Sequence, residues 1–128
     1  MKIYYTGGNG PFMGSRAAGF SLATLQRDWW FGFTPANSTR AIVQTVPVVV
    51  GAGGRLRVSA DARRGAVVVG VVGHAALSPQ NCAPLRGNLT EAAVAWKADA
   101  VGLAPLVGQN VSLEFWLEPG AVLFAFDL

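Results

Sequence analysis

Apolar and polar residues alternate along this chain wherever a pattern can be read. From Arg55 to Arg63, Leu56, Val58, Ala60 and Ala62 interleave with Arg55, Arg57, Ser59, Asp61 and Arg63, the spacing of a strand buried on one side. Asn110 to Glu118 repeats the rhythm, with Val111, Leu113, Phe115 and Leu117 on one face and Ser112, Glu114, Trp116 and Glu118 on the other. Pro119-Gly120 then reads as a turn into a last strand with Val122, Phe124, Phe126 and Leu128 aligned, which predicts a terminal β-hairpin. The β-branched run Ala41 to Val50 is interrupted by Pro47, which predicts an edge position or a bulge, and Gly51-Ala52-Gly53-Gly54 then turns it into the Arg55 strand as another hairpin. Ala66 to Val72 and Ala92 to Ala98, with Val94, Trp96 and Ala98 on one face, read as further strands. Leu77 to Thr90 reads as a long loop, and Leu103 to Gly108 as one helical turn.

The first 27 residues differ. Tyr4-Tyr5, a glycine-rich loop from Gly7 to Gly14, and Ala18 to Leu25 predict two strands joined by a long connection. Two strands alone are marginal in water, so this hairpin must lean on the body or on something outside the chain. With about seven short strands separated by turn signals, the expected fold is all-β. Its body, residues 28–128, is expected to be an antiparallel, jelly-roll-like β-sandwich, preceded by a short hairpin over residues 1–27.

Composition narrows the chemistry. One cysteine and one histidine among 128 residues supply neither an intrachain disulfide nor a four-ligand structural zinc site, and no cofactor motif is present. Gly51 to Gly54 lacks the Lys and Ser/Thr of a phosphate loop, and Gly19-Phe20-Ser21-Leu22-Ala23 fails the nucleophile-elbow pattern at its last position. Cys82 and His74 are the residues available for a thiolate pair, for which a lone loop cysteine is a weak signal. No apolar run approaches the roughly 18 residues of a membrane helix, so a soluble protein with no membrane partner is expected. The net charge is +3 and the pI near 9.6, but the ten basic residues are dispersed, which argues against nucleic acid. Met1 to Gly8 has no signal-peptide apolar region, so the chain is expected to stay inside the cell or to begin elsewhere, and to be secreted if it belongs to a longer signal-bearing protein.

Several segments, in their order, resemble a known group of proteins. Tyr4-Tyr5-x-Gly-Gly-Asn-Gly-Pro, Arg16, and Gly19 to Leu25 followed by Arg27-Asp28 look like the last propeller strands and exit segment of glycoside hydrolase families 32 and 43 and their five-bladed β-propeller relatives. Gly54 to Ala62, Cys82-x-Pro84-Leu85-x-Gly87-Asn88, Val94-x-Trp96, and Leu106-x-Gly108 through Phe126 are similar to the β-sandwich that follows such propellers. The chain departs from the pattern at Trp29-Trp30, where a Gly-Phe is expected, and at Phe12, where relatives often carry a His. The resemblance implies a C-terminal accessory module with a remnant of the final blade, and it places the catalytic acids in earlier blades that this chain lacks.

The residues agree with a chain that is not an enzyme on its own. Glycosidic cleavage needs two carboxyl groups roughly 5–5.5 Å or 6.5–9.5 Å apart. Glu114 and Glu118 share a strand face with their backbones roughly 13 Å apart, and a cross-strand partner such as Asp61 stays open. The leading expectation is a structural or interaction module that covers a propeller flank or pairs through strand edges, as a homo-oligomer included. The alternative is a carbohydrate-binding module using Trp116, Trp29 or Trp30 as platforms, since sugar rings stack on aromatic faces. Packing of Trp116 and one of the other two against the absent propeller, or against Tyr4 and Tyr5, competes with that. A third reading is part of a glycosidase site completed by another chain. Among the Asn-x-Ser/Thr triplets, Asn37 and Asn88 are the glycosylation candidates, expected in loops, with Asn110 at a strand start less suited.

Overall fold

A computed structural model describes residues 1–9, 17–97 and 102–128. The chain is all-β, with antiparallel pairing throughout and one curled sheet. The described strands are β1 (Lys2–Gly8), β2 (Ala18–Thr24), β3 (Ala41–Gln44), β4 (Val48–Val49), β5 (Arg57–Val71), β6 (Leu85–Ala93), β7 (Asn110–Val111), β8 (Leu113–Leu117) and β9 (Val122–Asp127). Leu103 to Gly108 holds a single 3₁₀ turn at Ala104–Leu106, as its length suggests.

Strand β5 organises the body. The two strands expected at 55–63 and 66–72 are one continuous strand, because Gly65 bends the chain without ending it. Before the bend Val58, Ala60 and Ala62 are buried, and after it Val67, Val69 and Val71, so the inward-facing parity switches within residues 63–66. A period-2 reading breaks there and reports two strands.

The terminal hairpin is corrected in the same way. Strands β8 and β9 pair successively with β5, β8 over Val67–Val71 and β9 over Arg57–Asp61. Glu118 to Ala121 therefore forms the matching bend of a second ribbon rather than a reversal. The two bends nest closely: a Cβ on Gly65 would lie 2.7 Å from the Pro119 carbonyl oxygen and 2.9 Å from the Ala121 nitrogen. Gly120, at φ 83°, has Arg64 equally close to where its own Cβ would be, so neither position has room for a side chain.

The remaining strands fill the edges. The Gly51–Gly54 turn does not join a hairpin: β3 pairs with β8 and β4 with β7, Pro47 lying between them. Strand β6 begins at Leu85, inside the segment expected as a loop, and ends at Ala93, so that it takes in only the first two residues of the expected 92–98 strand. Trp96 instead bridges Cys82, and Ala98 lies outside the described residues. Within β9 the expected apolar face shifts. The register skips Phe124 between Ala125 and Leu123, so Leu123 and Phe126 oppose the inward residues Ala60 and Val58 while Phe124 bulges out.

The core consists largely of β5 and β8 side chains, Val58, Val67, Val69, Leu113, Phe115 and Leu117 among them, joined by Leu56, Leu103 and Trp96. Phe126 tilts against Phe115 with ring centroids 5.3 Å apart. At roughly 1.5–3 kcal/mol for each fully buried large apolar side chain, this cluster is the main favourable term in folding.

Strands β1 and β2 form the expected hairpin and pair with each other alone among the described strands. Its connecting loop, including Phe12, lies outside the described residues. The register sets Tyr4 opposite Leu22 and Thr6 opposite Phe20, which puts the three apolar side chains on one face. That face is open, Phe20 being 88% and Tyr4 71% exposed.

Candidate functional site

The three tryptophans expected as platforms occupy different environments. Trp116 lies on the outer face of β8, half-buried, its Nε1 donating to Glu114 Oε2 at 2.9 Å. The Arg40 guanidinium sits over its ring, 4.7 Å from the centroid, and donates to Glu118 Oε1 at 2.6 Å. One ring face is thus capped by the chain's own cation, worth about 0.5–1 kcal/mol at an exposed site. Arg40 supplies this cover because it immediately precedes β3, which pairs with β8 and sets Ile42 opposite Trp116. Tyr4 and Tyr5 play no such part; both are exposed on the hairpin.

Trp29 and Trp30 lie in a turn. Trp29 stacks on the bulged Phe124 with centroids 4.4 Å apart, and its buried Nε1 has no hydrogen-bond partner. Trp30 is 53% exposed and is the most accessible indole of the three. The same turn roots the N-terminal hairpin on the body. Arg27 pairs with Glu91 at 2.8 Å, and Arg57 approaches the same carboxylate at 3.9 Å. Glu91 reaches them from a bulge in β6, at φ 51°, where its N–H donates to the buried Ser59 Oγ at 3.1 Å. Asp28 is also left-handed, at φ 66°. Two non-glycine residues in that region around one small pocket mark a joint whose geometry is over-determined by its contacts.

The carboxylates weighed for glycosidic chemistry each have a partner. Glu114 accepts from Trp116 and Glu118 from Arg40. Asp61 accepts from Arg63 Nε at 2.9 Å and Nη2 at 2.6 Å, hydrogen bonds that hold its carboxyl down at about 2. Cys82 is buried, which pushes its thiol up, and its Sγ lies 3.3 Å from the Ala83 carbonyl oxygen, so the environment disfavours a thiolate. Among the described residues no group of three or more His, Cys, Asp or Glu could hold a metal ion, and no helix is long and apolar enough to cross a membrane.

The sequons are also placed. Asn37 is exposed in a loop, where its Oδ1 accepts from the Thr39 N–H at 3.0 Å and from the Thr39 hydroxyl. Asn88 is exposed but lies within β6, opposite Asp61, rather than in the expected loop. Asn110 opens β7.

One concave surface was not visible in the sequence. A basin of about 620 Å³ is walled by Arg40, Arg64, Arg86 and Lys97, with Trp116 and Glu118 among its other lining residues. Its cations come from four separated segments that the bent ribbons bring together. No protein family, no curated protein and no solved structure matches this chain.

Proposed function

We propose that this chain is a non-catalytic accessory module of a glycoside hydrolase-like protein, with a jelly-roll-like β-sandwich body and a structural or interaction role. The observation that carries the reading is the N-terminal hairpin. It exposes Tyr4, Phe20 and Leu22 on one face and leaves the outer edges of β1 and β2 unpaired among the described strands. A two-stranded ribbon with an apolar face gains stability only when something covers it, and open edges are the surface on which a further strand pairs. The resemblance of its sequence to the last strands of a propeller blade names the class of cover. The engaged state of Glu114, Glu118 and Asp61 agrees with a module that has no reaction centre.

The test is to mix the full chain with a five-bladed propeller domain of this glycoside hydrolase type whose final two strands have been removed. A one-to-one complex by light scattering, with new amide protection confined to β1 and β2, is expected. Absence of association, or release of aryl leaving groups from model glycosides by the chain alone, would overturn the proposal. Carbohydrate binding through an exposed indole remains the second reading, and Trp30 is the residue whose exposure favours it. Saturable quenching of tryptophan emission by neutral glycans, lost in Trp30→Ala, would establish it.

A further inference from the structure

We propose that the basin beside Trp116 binds an anionic saccharide, a sugar carrying carboxylate or sulfate groups. The inference rests on charge placement and does not depend on what covers the N-terminal hairpin. Of the lining cations Arg40, Arg64, Arg86 and Lys97, Arg40 is neutralised by Glu118 at 2.6 Å. Among the described residues no carboxylate lies within 4.0 Å of the other three. Arg86 is held in place by a hydrogen bond from Nη1 to the Gly65 carbonyl at 3.1 Å, which leaves the rest of its guanidinium donors available. Like charges gathered around a concave wall raise the local potential and draw an anion in, and a guanidinium matches a carboxylate or sulfate in two-pronged geometry.

Two features favour an anion with the bulk of a saccharide over a small inorganic one. The basin has apolar walls from Val68, Pro79 and Pro84 as well as cations, so it offers surface to the body of a ligand and not only to its charge. Its volume of about 620 Å³ falls in the range of roughly 300–1,000 Å³ that small-molecule sites occupy. Nucleic acid is disfavoured because it needs a basic stripe, whereas Arg27, Arg57 and Arg63 outside the basin are each paired with a carboxylate.

The experiment is calorimetric titration of the full chain with oligogalacturonate, a sulfated oligosaccharide, a neutral dextran oligomer, inorganic sulfate and single-stranded DNA. At least one acidic oligosaccharide is expected to saturate at least tenfold more tightly than the neutral oligomer, and the comparison of carboxylated with sulfated sugar identifies the preferred anion. Combining Arg64→Gln with Arg86→Gln, or Lys97→Gln alone, should weaken that binding at least fivefold without lowering Tm. Arg55→Gln, which removes the same charge outside the basin, should leave it unchanged. Equal affinity for neutral and acidic sugars, inorganic sulfate binding as tightly as any saccharide, DNA binding more tightly than any saccharide, or an equal loss in Arg55→Gln would each overturn the proposal.

Discussion

The Trp96 indole donates from Nε1 to the Val69 carbonyl at 3.0 Å, a buried hydrogen bond between the segment that follows β6 and the last residues of β5. Beyond Val67, where β6 ends its pairing with β5, that side of the strand has no regular partner among the described strands, and the indole takes over part of that role. Trp96→Phe keeps an aromatic ring but leaves a buried carbonyl unsatisfied. Urea unfolding should show a loss of about 1–3 kcal/mol.

The nested bends predict a second sensitivity. In Gly65→Ala the new methyl would press on the Pro119 carbonyl and the Ala121 nitrogen, which are backbone atoms that cannot rotate away. Thermal and urea unfolding should register a loss of about 1–3 kcal/mol, the range for inserting a methyl into a packed site. An unchanged midpoint would mean that the two ribbons do not meet at this point.

Acid titration separates Asp61 from ordinary surface carboxylates. Its folded pKa, held at about 2 chiefly by the Arg63 side chain, lies below the ordinary aspartate value of 3.8. The stability from this pair is therefore fully present above the unfolded value and disappears as pH falls from about 4 through about 2. Carboxyl-detected NMR should place the Asp61 midpoint near the lower limit of that window. In Arg63→Gln it should move up toward the ordinary aspartate range.

The hairpin should be energetically separable from the body. Removing residues 1–24 deletes exposed strands, and the unfolding free energy of the remainder in urea should change by less than about 0.5 kcal/mol. In the intact chain, hydrogen exchange should find the β1 and β2 amides open while those of β5 stay protected. Slow exchange in both would show that the hairpin is covered by its own chain.

Side-chain alternation identified the interior well, because burial is written into each strand separately. Leu56, Val58, Ala60 and Ala62 turn inward as their spacing requires, as do Val111, Leu113, Phe115 and Leu117. Strand partners were harder to read. Pro119-Gly120 has the chemistry of a turn, and whether such a dipeptide reverses the chain or only bends it depends on β5 lying alongside, which no local pattern encodes. The outward position of Trp116 was legible, but its cover was not, since Arg40 arrives from a distant segment through β3 pairing. The cationic basin was hidden for the same reason. Charges that look dispersed along the chain converge only once the ribbons bend.

The position of β5 has a further consequence for how the molecule is made. Its opening residues, Arg57 to Asp61, find their partner in Val122 to Asp127. During synthesis this long central strand must therefore wait, one flank uncovered, until Val122 to Asp127 have left the ribosome. Any product that stops short of Val122 would carry that bare flank permanently and be drawn toward precipitation.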